Sequence, residues 1–353
     1  MIRTIAIIAL FSLLTFALKT QAEQDLSQVF IDLESKKTSN PRQTKELLDQ
    51  LELKYEKLSL EQQSLYKIFR AHSLVLQGNY VAARQELDQV IDQTSFVKIK
   101  ARAHSMLSNV LLFSGELEQA FEHSKSALQL LPKLKEQDFH RFAVLQNAAS
   151  LFKQAGVFGK AMDYSRQLLI IAEQSSDPIK QCVSHYEMAN WELQASQLEI
   201  LEERIQQLND ACQQAKDPIF QALAGELQAR YFLHNNHSQK AYEVLAKWQK
   251  DVDEMTYLPI KTIYAIRLGE TYLALDDIDK ASVYLGKGYQ AAKKANDKVR
   301  IMEAAKHLAT IHSKNDKLKE SIDLYKEYLD LEKQLEVQTN QRKLAYFTVS
   351  MRN

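Results

Sequence analysis

Neither sign of charge is in excess in this sequence: 45 lysines and arginines face 45 aspartates and glutamates. That excludes a large basic surface drawing nucleic acid or anionic lipid through net charge, and no nucleic-acid partner is expected. No glycine-rich phosphate loop follows a strand, no nucleophile elbow is present, and no carboxylate pair stands apart from other charges. His234 and His237 sit beside a turn without a cysteine or a helix-borne glutamate pattern nearby, which makes them poor metal ligands. These absences point away from catalysis, and neither cofactor nor metal is expected. Cysteine is scarce too, with Cys182 and Cys212 alone in 353 residues. The chain is nevertheless 45% hydrophobic and 25% charged, a globular composition able to build a core.

What is present begins with an N-terminal segment unlike the rest. Arg3 supplies a positive start, residues 5–18 form an apolar run broken only by Ser12 and Thr15, and Thr20-Gln21-Ala22 offers small residues at the −3 and −1 cleavage positions. The run is shorter than the roughly 20 residues a spanning helix needs. Residues 1–22 therefore read as a cleaved secretory signal of bacterial style, and the periplasm is the expected compartment. In an oxidising compartment the even cysteine pair is a candidate disulfide. Closing about 30 residues is worth about 3–4 kcal/mol in the chain-entropy model.

The rest is organised around one stretch, residues 101–132, in which two apolar-periodic segments flank Gly115 and small Ala120 and Ala127 permit close packing. Counting Ala101 as position 1, Leu107 and Ser108 stand at 7 and 8, Gly115 at 15, Ala120 at 20, Ala127 at 27 and Pro132 at 32. This spacing resembles the tetratricopeptide repeat. Position 20 recurs at Ala83, Ala120, Ala161, Leu201, Ala241, Ala281 and Ser321, at intervals of 37, 41 and then 40 throughout. Position 15 reads Gly78, Gly115, Gly156, Ser196, Asn236, Asp276 and Asp316, all suited to turns. The resemblance implies an all-α, right-handed superhelix of antiparallel helix pairs, about seven hairpins over residues 64–335. Residues 23–63 read as capping helices, with Asn40-Pro41 and Ser59 plus Gln62 as helix starts. The fourth hairpin, with Leu201 and Ile205 in place of small residues, is expected to be splayed.

The long period has a cause in the caps. Asp177-Pro178, Asp217-Pro218, Pro259 and Asp297 form a column that starts each first helix several residues before position 1. In this respect the array is similar to the longer repeats of kinesin light chain and of bacterial peptide-sensing regulators. It is also similar to exported sensory regions of proteobacterial diguanylate cyclase-type signalling proteins, where the array leads into a membrane span and an output domain. Residues 336–353 instead carry a polar run and an apolar patch, Leu344, Tyr346, Phe347 and Val349. The patch is expected either to cap repeat seven or to contact a partner such as a membrane signalling protein.

By the resemblance, first helices line a concave groove, and position 9 points into it. That column is wholly polar: His72, Asn109, Ser150, Asn190, Arg230, Glu270 and Thr310. An asparagine amide offers a donor and an acceptor to a peptide bond, so Asn109, Asn147 and Asn190 are candidates for holding an extended peptide or protein segment. Asn109 and Asn147 match the asparagine pair of carboxylate-clamping members of the family, but Ser105, Val183 and Glu187 stand where its basic residues would be. Tyr186, Arg230 and Glu270 add an aromatic and charged wall, in which Arg230 and Glu226, four apart, are placed to pair. Ile68, Leu112, Phe113 and Leu273 are the expected apolar contacts, and Trp191 and Trp248 read as packing residues.

Two functions follow from this reading. The first is an exported, non-catalytic module binding a protein or peptide in its groove. The alternative is a ligand-sensing region of a membrane signalling system without its output domain.

Overall fold

From the fourth repeat on, three of the four first helices open on an aspartate cap, and the remaining one, Leu258–Ala274, opens with Pro259 in its first turn and no side-chain cap. Asp177 accepts from the amides of Ile179 and Lys180, Asp217 from Ile219 at 2.9 Å and Asp297 from Arg300 at 3.1 Å. These bonds satisfy amides that no helical carbonyl can reach. A computed structural model describes residues 26–38, 40–134, 139–255 and 257–352. The expected signal, residues 1–22, lies outside them. Among the described residues all regular structure is helical and there is no strand.

The chain folds as two compact units, one through Thr94 and one from Ser95. The first holds α1 (residues 26–36), α2 (Pro41–Glu52), α3 (Leu60–Leu76) and α4 (Tyr80–Gln93). Asn40 caps α2, and Ser59 with Gln62 forms a complete capping box at α3. Its core gathers Leu33, Leu51, Ile68, Phe69, Ala83 and Leu87, all nearly inaccessible to solvent.

The second unit comprises six hairpins. They are α5 (Val97–Ser114) with α6 (Leu117–Leu130), α7 (Phe139–Gln154) with α8 (Phe158–Glu173), and α9 (Pro178–Gln194) with α10 (Leu198–Ala215). Then come α11 (Pro218–His234) with α12 (Ser238–Glu254), α13 (Leu258–Ala274) with α14 (Ile278–Ala295), and α15 (Lys298–Lys314) with α16 (Leu318–Met351). The result is an all-α solenoid of antiparallel pairs. The position 15 residues all adopt left-handed backbone, from Gly78 at φ 77° to Asp316 at φ 57°. Each ends a first helix and reverses the chain, which is why that column admits glycine, asparagine and aspartate so readily.

Three expectations are corrected. The fourth hairpin is not splayed: Leu201 and Ile205 are buried with Ala189 and Leu193, and a Cys182–Cys212 disulfide joins the start of α9 to the end of α10. Ile68 and Leu112 lie in the core and offer no groove surface. The C-terminal segment continues the second helix of repeat seven, α16 running unbroken for 34 residues. Its apolar patch does not cap repeat seven; the last turns rest on α6 and on the end of α7. Among the described residues no helix is long and apolar enough to cross a membrane.

Candidate functional site

The 40-residue period places equivalent side chains on neighbouring first helices, and in the second unit those helices pack side by side in two groups. One group is α5 with α7; the other runs α9, α11, α13, α15. Between them, α8 packs along α9, where Trp191 meets Ser165 and Phe158. Lys180 Nζ on α9 lies 5.9 Å from the Phe142 ring centre on α7, and α7 reaches back through Lys153. Its Nζ lies 3.4 Å from Glu187 Oε2 and 5.2 Å from the Trp191 ring centre. Asn109 and Asn147 belong to the first group, and Tyr186, Asn190, Arg230 and Glu270 to the second. The six candidates thus divide between two wall segments.

In the first segment, Asn147 Nδ2 donates to Ser105 Oγ at 2.8 Å, and Asn109 Oδ1 is shielded from solvent without a hydrogen-bond partner. The two asparagines do not form a joint clamp with basic residues around it.

The second segment carries a polar ladder across four helices. Asn190 donates to the carbonyl of Tyr186 at 2.8 Å and accepts from Arg230 Nη1 at 2.7 Å. Arg230 does not pair with Glu226, as its spacing suggested. Glu226 instead accepts from Arg267 Nε at 2.8 Å, across from α11 to α13. Arg267 is 8% exposed and also reaches Glu270 on its own helix and Glu303 on α15, the latter at 3.2 Å. His307 Nε2 lies 2.9 Å from the other oxygen of Glu270, and Arg300 pairs with Glu303.

Burial opposes the charge on Arg267, but Glu270, Glu226 and Glu303 outweigh it and hold its pKa above the ordinary value. Burial likewise works against ionised Glu270, yet Arg267 and then His307 keep its pKa below the usual range. Tyr186 is driven the other way, up, by burial and then by Glu226. The ladder is therefore ionised at its centre and neutral at its α9 end. Glu226, 2% exposed, leaves its second oxygen buried and unbonded.

Sequence reasoning missed Arg267, Glu303 and His307, which stand at positions 6, 2 and 6 rather than 9. Reading those columns along all repeats would have shown three ionisable groups on neighbouring helices. The tryptophans pack as expected. Trp191 is buried and donates to Ser165 Oγ at 3.2 Å, and Trp248 lies against Gly225. His234 and His237 enter no group of three or more metal-ligating side chains, and the described residues hold none elsewhere.

Residues 65–89, in the α3–α4 hairpin, match the family model described as tetratricopeptide repeat. No curated protein sequence matches the chain significantly. Several solved structures share the fold. The apo quorum sensor NprR from B. thuringiensis is 15% identical, with 83% of this chain and 82% of that one covered at a TM-score of 0.60. A Rap protein complexed with Competence and Sporulation Factor is 11% identical over 89% of this chain and 99% of that one, also at 0.60. NprR in complex with its cognate peptide NprX is 12% identical over 92% and 82%, at 0.55.

Proposed function

We propose that this chain is an exported, non-catalytic interaction module that holds an extended peptide or protein segment against the wall of α9, α11, α13 and α15. The observation that carries this reading is the polar ladder repeated across those four helices. Its side chains are held in place by one another before any ligand arrives, so binding there forfeits little side-chain entropy. Arg230 forms no ion pair among the described residues and is half-buried, held by the neutral amide of Asn190. It offers its charge to a carboxylate of the ligand. Asn190 retains one amide hydrogen for a peptide carbonyl, and Glu270 and Tyr186 border the same wall. Asn109 and Asn147 would extend contact onto the first segment. NprR, of the same fold, holds its cognate peptide NprX, which supports a peptide-class ligand.

Export is supported by the N-terminal run and by the Cys182–Cys212 disulfide, since such bonds persist in oxidising compartments. A sensory role with a membrane signalling partner draws support from the outward face of α16, where Leu344, Phe347 and Met351 are exposed.

Selection of a displayed random-peptide library on the mature chain tests the groove. A common short motif is expected, bound about tenfold or more weakly after Arg230→Ala. Enrichment of no motif, or equal affinity in the variant, would overturn the assignment of this wall.

A further inference from the structure

One side of α16 is fastened to the body along its length. Glu327 accepts from Tyr289 and pairs with Lys293, and Leu331 is buried. Further on, Thr339 occupies the space a Cβ on Gly156 would fill, and Arg342 donates to the carbonyl of Gln154. Tyr346 sits between Phe121 and Phe152, with ring centres 5.6 and 5.2 Å away, and Arg352 pairs with Glu118 and Glu122. The opposite side is a stripe of exposed apolar residues. Leu318, Ile322, Tyr325 and Leu329 occupy its first half and Leu344, Phe347 and Met351 its last, all between 40% and 80% exposed. At 3.6 residues per turn they share about 100° of arc with exposed Lys333, Glu336 and Asn340, which lie between the two halves. The spacing repeats every 11 positions, close to three turns of an undistorted helix, so the stripe runs almost parallel to the axis.

We infer that this stripe is the interface of a homodimer, in which α16 lies antiparallel on α16 of a second copy about a twofold axis between residues 334 and 335. Three observations carry it. The first is self-complementarity, which a twofold interface requires and an unrelated partner does not. In that register Leu318 meets Met351 of the second copy, Ile322 meets Phe347, and Tyr325 meets Leu344. Leu329 meets Asn340, and a polar residue in such a seam fixes register at a cost in stability. The second is charge. Lys333 and Glu336, mid-stripe, form no ion pair among the described residues, and they meet each other on both sides of the axis. The third is extent. A strip about 50 Å long and about 10 Å wide covers on the order of 500 Å² of each chain, about 1,000 Å² in total, the lower bound for a specific interface. Because the other side of the helix is already fastened, pairing costs little further ordering of the backbone. The inference is independent of the groove, since the wall belongs to first helices and the stripe to a second helix.

Sedimentation equilibrium of the mature chain from about 1 to about 100 μM tests it. A monomer and dimer in exchange, with a Kd on the order of 10 μM, are expected. Ile322→Glu combined with Phe347→Glu should weaken the dimer about a hundredfold or more. Far-ultraviolet dichroism and the urea midpoint of the monomer should not change, because both positions are exposed. Lys333→Glu alone sets four carboxylates at the axis and should weaken the dimer about tenfold, and adding Glu336→Lys should restore it to within about threefold. A chain that stays monomeric to about 100 μM would leave the face to a partner of other chemistry, such as a membrane signalling protein, and overturn the inference. A dimer that survives the double glutamate variant, or a charge reversal that the second substitution does not rescue, would overturn it as well.

Discussion

His185 shows what a single buried group does to the energetics of the array. It is 7% exposed, and its Nδ1 lies 3.2 Å from Arg204 Nη1, whose guanidinium also holds Glu192 at 3.2 Å. Burial, and then the charge of Arg204, push its pKa down to about 4. The unfolded chain therefore takes up a proton near pH 6.5 that the folded chain refuses until about pH 4. Stability from this group is complete above pH 6.5 and is lost as pH falls through that window, by at most about 3 kcal/mol. Urea midpoints at pH 7 and pH 4.5 should differ less in His185→Gln than in the parent. A His185 resonance titrating near 6.5 would contradict this. Arg267 poses the opposite case, a buried charge kept ionised by three carboxylates. Its partners come from three helices, so its role was invisible to a reading that looked four residues along one helix and matched Arg230 with Glu226.

Among the helices, glycine separates two kinds of contact. Gly269 on α13 sits where an added Cβ would meet Leu285 Cγ at 2.4 Å and the Leu285 amide at 3.0 Å. Gly286 on α14 has nothing within 4 Å of that position. Gly269→Ala should therefore destabilise by about 1–3 kcal/mol through overpacking, despite alanine's better helix propensity. Gly286→Ala should stabilise by about 0.5–1 kcal/mol, because propensity acts unopposed. Denaturant midpoints of the two variants check both signs, and shifts in the same direction would refute the contact argument. Caps and turns were legible for a related reason: each is set by a residue and its neighbours within four positions. The supposed splaying of the fourth hairpin failed because that rule considered α10 alone. Small Ala189 on α9 and the disulfide accommodate Leu201 and Ile205.

For the whole molecule, the division after Thr94 has a spectroscopic consequence. Trp191 and Trp248 both lie in the second unit, so tryptophan fluorescence reports on that unit alone, whereas far-ultraviolet dichroism sums both. Stacked repeats unfold as a sum of neighbouring terms rather than as one block. The two signals should therefore give non-coincident urea transitions, and coincident curves would show a single cooperative unit. At this scale the candidate site was half legible. The position 9 column named Asn190, Arg230 and Glu270, which do stand on adjacent first helices. It also joined them to Asn109, which with Asn147 lies on the other wall segment.

The sequence by itself determined the helical hairpins, their length, their turns and the polar character of the first-helix column. All of these follow from backbone sterics, capping and periodicity within a few residues. Only the tertiary structure decided that Arg267 rather than Arg230 takes Glu226, and that Tyr346 lies against Phe121 and Phe152. Those pairings join residues tens to hundreds of positions apart. They depend on how the hairpins stack, and a contact made through stacking leaves no periodic mark on either of its partners.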